Sequence, residues 1–99
     1  MKILMCKELD SLNIGEAMLV RVVDWDHNQM AIAVIKRGGR RANCVRGMFV
    51  KKGVPLVVDS GTSVHFLGDL GCEARMGVTA PKTSKISRAG QDDARRLVQ

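Results

Sequence analysis

Residues 17–35 read Ala17-Met18-Leu19-Val20-Arg21-Val22-Val23, then Asp24-Trp25-Asp26-His27-Asn28-Gln29, then Met30-Ala31-Ile32-Ala33-Val34-Ile35. Two apolar runs of strand length flank a polar segment in which Asp26-His27-Asn28 supplies a hairpin connection. A second stretch repeats the theme: Thr62-Ser63-Val64-His65-Phe66-Leu67 and Glu73-Ala74-Arg75-Met76-Gly77-Val78 flank Gly68-Asp69-Leu70-Gly71. These readings predict a mainly β chain. A short helix is predicted only at the end, where Gly90-Gln91-Asp92-Asp93 puts acids in a first turn. Arg95-Arg96 fall in its last turn, and Ala94, Leu97 and Val98 share one side.

Sliding the chain on itself by 44 residues superimposes the two hairpins. Identity is little above chance, with Lys7/Lys51, Leu12/Leu56, Val20/Val64 and Val34/Val78 the four matches in the first 38 pairs. The apolar register is better. Leu4/Met48, Ile14/Val58, Val22/Phe66, Val23/Leu67, Met30/Ala74 and Ile32/Met76 also pair, so strands and turns recur in step.

The chain's 99 residues allow one domain or two very small ones and exclude a large enzyme. Aromatic residues make up 3% (Trp25, Phe49 and Phe66), which leaves little material for stacking single-stranded RNA bases. No apolar run approaches the roughly 18 residues that span a bilayer, and Lys7-Glu8-Leu9-Asp10 stands where a signal peptide would be apolar. The sequence therefore reads as soluble and unexported, with a cytoplasmic location and no membrane partner expected. Cys6, Cys44 and Cys72 are odd in number and far apart, as free thiols of a reducing compartment would be. None has zinc-ligand spacing, so neither metal nor cofactor is expected.

The chain carries 16 Lys and Arg against 10 Asp and Glu, a net charge of +6. Residues 36–52 hold seven of the basic groups and no acid, from Lys36-Arg37 through Arg40-Arg41 and Arg46 to Lys51-Lys52. Such a run attracts phosphate at long range, but it also suits a solvated connector.

Three motifs invite catalytic or metal readings. Leu56-Val57-Val58-Asp59-Ser60-Gly61-Thr62-Ser63 looks like the signature of aspartic proteases, in which two chains of about this length each supply one Asp and the pair shares a proton. Against an enzyme using Asp59, Phe66-Leu67-Gly68-Asp69 follows too soon for the second hydrophobic-Gly element, and an Asp-Ser-Gly turn between strands accounts for the motif. Asp24-x-Asp26-x-Asn28 opens like a calcium loop but has Gln29 and Ile35 where Gly and Glu are required, so it reads as a hairpin turn. His27 and His65 have no nucleophile in a recognisable frame. The chain is expected not to be an enzyme.

The stretch Gly77-Val78-Thr79-Ala80-Pro81-Lys82-Thr83-Ser84-Lys85-Ile86-Ser87-Arg88 ends one strand at Val78, breaks at Pro81 and delivers a basic residue on a short further strand. Together with Val64-x-Phe66-Leu67-Gly68 and Ala74-Arg75-Met76, it resembles the carbon storage regulator family (CsrA/RsmA), small bacterial RNA-binding translational regulators. Met1-Lys2-Ile3-Leu4, Leu12-x-Ile14-Gly15-Glu16 and Asn28-Gln29-Met30-Ala31-Ile32-Ala33-Val34 resemble that family's first, second and fourth strands. The likeness covers residues 1–35 and roughly 48–99, as two family units in one chain.

That resemblance implies a single domain, 1–99, made of a degenerate unit (1–44) and a second unit (45–99) with the C-terminal helix. The two units would form one pseudo-symmetric, intertwined β-sandwich or barrel, a monomeric pseudo-dimer. It implies post-transcriptional regulation through GGA in hairpin loops of mRNA or small RNA, read largely by main-chain groups on strand edges. The implied RNA site joins Ile3, Leu4, Met5 and Lys7 of the first strand to Ala80, Pro81, Lys82, Lys85, Ile86, Ser87 and Arg88. The reciprocal site would take Met48 and Cys44, and Cys44 lacks the charge for a bidentate contact, so one competent site per chain is expected. Residues 40–52 would have to supply both a fifth strand for one unit and a first strand for the next, which a link of a few residues cannot join as parallel neighbours. An antagonist that mimics the dimer without specific repression is the alternative.

Overall fold

In the segment Thr62–Asp69, buried and partly exposed side chains alternate without a break, so Val64 and Phe66 face inward while Ser63 and His65 face out. That period of two is what a strand covering one side of a core requires. The computed structural model describes residues 1–38 and 41–89, with backbone alone for 37, 38 and 41–44. Nine strands fill it: β1 (Lys2–Cys6), β2 (Ser11–Ile14), β3 (Met18–Trp25), β4 (Gln29–Gly38), β5 (Arg41–Lys51), β6 (Leu56–Asp59), β7 (Thr62–Asp69), β8 (Ala74–Thr79) and β9 (Ile86–Ala89). The C-terminal helix expected from residues 90–99 lies outside the described residues.

The strands form two antiparallel sheets, ordered β1-β8-β7-β6 and β5-β4-β3-β2-β9. Both hairpins read from the sequence are present, β3–β4 and β7–β8. The sheets share one core, in which Val20, Val22, Met30 and Ile32 of the five-stranded sheet meet Val64, Phe66, Met76 and Val78 of the other. Aliphatic and Met side chains fill it around the single buried ring of Phe66. One isolated bridge, Lys52 to Phe66, links the sheets. Among the described residues no ladder closes them into a barrel, so β1, β6, β5 and β9 are sheet edges.

Pairing registers repeat at the 44-residue spacing. Leu12↔Val20 matches Leu56↔Val64, Val20↔Val34 matches Val64↔Val78, and Ile32↔Met48 matches Leu4↔Met76. Turns repeat as well: Leu9 N–H donates to the Val22 carbonyl at 2.7 Å and Gly53 N–H to the Phe66 carbonyl at 3.4 Å. Asp10 N–H donates to Lys7 and Val54 N–H to Lys51, both at 3.0 Å. Leu9 and Gly53 share a left-handed backbone, with φ of 69° and 80°. Only the glycine adopts that conformation without steric cost.

The correspondence fails in the middle. Residues 41–51 form the continuous strand β5, paired with β4 from Gln29↔Lys51 to Gly38↔Arg41. Of the two strands expected there, the first-strand equivalent exists, since Met48 pairs with Ile32 as Leu4 pairs with Met76. The fifth-strand equivalent is absorbed into the same strand. Cys44, which the offset aligns with Arg88, lies opposite Lys36 on β4, whereas Arg88 lies opposite Leu12 on β2. Consequently β6 has β7 on one side and, among the described residues, no strand on the other.

Candidate nucleic-acid interface

The edges of β1 and β9 lie beside one another at the seam between the sheets, and two basic side chains bridge them. Lys2 Nζ donates to the Ile86 carbonyl at 2.9 Å. Arg88 Nη2 donates to the Met5 carbonyl, and its Nη1 lies 3.4 Å from Asp10 Oδ2. Residues 83 and 84 positions apart in the chain are thus in contact.

Antiparallel pairing decides which main-chain groups this seam exposes. Successive residues of a strand turn their N–H and C=O to opposite edges. Because the Met5 carbonyl faces Arg88, Ile3 and Met5 share the edge toward β9, while Leu4 is turned into the β8 ladder opposite Met76. On β9, Lys85 accepts from Gly15 N–H of the β2 side at 2.8 Å, so Ile86 and Arg88 turn away from β2 and toward β1. The seam is therefore lined by main-chain groups of Ile3, Met5, Ile86 and Arg88. Leu4, which the resemblance places in the site with Ile3 and Met5, has its side chain half-buried against the core.

Asp10 organises this end. Its Oδ2 accepts from Lys7 N–H at 2.8 Å, fixing the turn after β1, and faces the Arg88 guanidinium. Arg88 is about half exposed (51%), and a guanidinium has five N–H donors, so donors remain after these two contacts. Neither Asp10 nor Lys2 was singled out from the sequence. Asp10 sits in a polar turn, and only the folded seam shows which cation it meets. Cys6, fully buried beside this pair, has its thiol pushed up from 9.0 by burial, partly offset by the Arg88 charge.

The other expected site residues divide. Ile3 is exposed, Ser87 lies opposite Asn13, and Lys7 is exposed at the end of the seam. Ala80 packs on the core, and Ser84 N–H donates to the Pro81 carbonyl at 2.9 Å to make a turn. Lys82 and Lys85 are exposed, and among the described residues neither side chain hydrogen-bonds to β1.

The motifs set aside from the sequence sit in turns. Asp59 is exposed, accepts from Ser60 N–H at 2.9 Å and lies 3.8 Å from Lys36 Nζ. No acidic side chain is among its partners in the described residues. Asp26 Oδ1 accepts from the N–H groups of Asn28 at 2.7 Å and Gln29 at 2.9 Å, bonds that hold its carboxyl below the ordinary 3.8. No group of three or more His, Cys, Asp or Glu is placed to hold a metal among the described residues. His27 Nδ1 lies 3.2 Å from Asp69, and His65 Nε2 lies 3.2 Å from Thr79 Oγ1. No helix among the described residues is long and apolar enough to cross a membrane.

These features define a two-sheet antiparallel β protein with a strand-edge seam guarded by one arginine. No protein-family model, curated protein or solved structure matches the chain.

Proposed function

We propose that the chain is a non-enzymatic RNA-binding regulator that reads GGA in hairpin loops at the β1–β9 seam and controls translation, with one site per chain. The observation that carries this reading is the meeting of Arg88 with the Met5 main chain, which sets a planar, always-charged donor beside outward-facing N–H and C=O groups. Main-chain edges supply both donors and acceptors to base edges and need no aromatic platform, in keeping with 3% aromatic content. Lys7, Lys82 and Lys85 add phosphate attraction around it, and the central basic run adds long-range steering.

Two family-like units, 1–44 and 45–99, arranged as a pseudo-dimer in one domain account for the shared registers. The absorbed fifth strand supports a single site, because the second seam would need a separate strand carrying the residue aligned with Arg88. Titration of the full chain with a GGA-loop hairpin and a scrambled-loop control tests this. One RNA bound per chain, tighter for GGA, is expected, with Arg41→Ala weakening both RNAs alike. Two RNAs per chain would overturn the single site, and equal affinity for the two loops would favour the antagonist reading.

A further inference from the structure

β9 fills one of two places that the 44-residue correspondence makes equivalent. Its Ile86 lies opposite Ile14 and packs on the core, as Leu4 and Ala80 do, and Lys2 reaches its carbonyl. Shifting those neighbours by 44 gives Val58 for Ile14, Met48 for Leu4, Arg46 for Lys2 and Lys36 for Ala80. These four, with Val34 and Val57, line a cleft of about 290 Å³. One wall is β6, whose outer edge has no strand beside it among the described residues. Gly15 and Asn13 turn their main-chain groups toward β9; Val57 pairs with Ser63 as Asn13 pairs with Leu19, just before a register shift between Val57 and Asp59, so strand alternation leaves its N–H and C=O on the outer edge.

We infer that the cleft docks an extended peptide segment of another protein, added as a further strand on the β6 edge, apolar where β9 has Ile86 and acidic beside it. The site is separate from the seam assigned to RNA. An unpaired edge is a template for strand addition, with main-chain bonds supplying affinity and alternate side-chain pockets supplying specificity. The apolar requirement comes from Val34, Met48 and Val58. The acidic one comes from Arg46, which is exposed and has no acidic ion-pair partner among the described residues.

The strand must also differ from β9 at the position of Arg88. Arg88 meets the Asp10 carboxylate, and the corresponding residue is Val54, which is 56% exposed. An arginine there loses its acidic partner, whereas an apolar residue can lie against Val54. A second copy of this chain would bring the same basic rim to the cleft, against repulsion between chains of net charge +6. RNA is disfavoured because four of the six lining side chains, Val34, Met48, Val57 and Val58, are apolar and offer no hydrogen bond to a base edge.

The probe is a fluorescent hexapeptide, acetyl-Ser-Glu-Ile-Ser-Val-Ala-amide. It is β9's pattern with glutamate in place of Lys85 and valine in place of Arg88. Anisotropy with the full chain should give one peptide per chain. Replacing the glutamate by lysine, or using the Arg46→Glu protein, should weaken binding at least tenfold. A peptide N-methylated at its inner serine, which removes the main-chain donor opposite Val57, should not bind. Affinity for the GGA hairpin should stay the same at saturating peptide, so that the two sites succeed or fail separately. Equal binding of the N-methylated peptide, displacement of the peptide by RNA, or self-association of the chain that the peptide disrupts would each overturn the proposal.

Discussion

Replacing Arg88 by alanine removes two contacts at once, and their worth can be set apart from any role in binding. The Arg88–Asp10 pair spans 3.4 Å between side chains that are 51% and 37% exposed, so it contributes no more than about 1 kcal/mol. The bond to the Met5 carbonyl has a charged donor but a solvated setting, and about 1 to 1.5 kcal/mol is reasonable for it. Arg88→Ala is therefore expected to lower unfolding stability by about 2 kcal/mol, read from urea midpoints. If the guanidinium also contacts a GGA loop, a further 1 to 3 kcal/mol of discrimination is lost, roughly a 5- to 150-fold drop in affinity. The scrambled loop should lose only the share owed to charge. Asp10→Ala is the decisive companion. It breaks the ion pair and the turn bond to Lys7 N–H, costing about 1 to 2 kcal/mol of stability, yet leaves the guanidinium free for RNA. Filter binding at one fixed salt concentration should show Asp10→Ala within threefold of the parent on the GGA hairpin. If Asp10→Ala loses as much affinity as Arg88→Ala, the arginine is a clamp between sheet edges and not a contact, and the reasoning fails.

Other expectations follow from single sites. Leu9→Gly should raise the unfolding free energy, read from urea melts, by about 0.5 kcal/mol, because the left-handed backbone at φ 69° is strained for leucine, and Gly53→Ala should lower it by about 1 kcal/mol. Asp26 is bonded to the Asn28 and Gln29 N–H groups, so its folded pKa is depressed. Its contribution is present above 3.8 and lost as pH falls through the lower folded value, and urea titrations on Asp26→Ala should show a flatter acid limb. In a Cys44→Ser chain, exposed Cys72 should react promptly with a thiol reagent, while Cys6 should react only as the chain unfolds.

The two central hairpins were legible because short apolar runs rich in Val, Ile and Met are a local signal, and the turns between them carry Asp, Asn and Gly. Harder to read was the fate of residues 40–52. Their charges suit phosphate attraction or a solvated connector, and the family resemblance asks for two strands; the deciding fact is that Arg41 through Lys51 find partners on β4, a competition between pairings that one-dimensional pattern does not contain. The meeting of β1 with Arg88 was legible only through a family resemblance, since nothing local in Ser87-Arg88 points to Met5. Asp10 and the outer edge of β6, which has no strand beside it among the described residues, were missed for the same reason. Each takes its meaning from what lies, or does not lie, across a gap in space.

The ladder between β1 and β8 also sets an order of events. Lys2 pairs with Val78 and Cys6 with Ala74, so β1, made before the other eight strands described, is among the last of them to find its neighbour. At the usual 5 to 20 residues per second of synthesis, β1 waits on the order of 4 to 14 seconds for β8, and the outer edge of β2 waits longer for β9. During that interval the β3–β4 hairpin can form alone, while β1 stays an unpaired apolar strand. A nascent chain would therefore have no seam until residue 89 has emerged. A ribosomal pause before residues 74–89 emerge would lengthen the interval in which a competing pairing or a chaperone can capture β1.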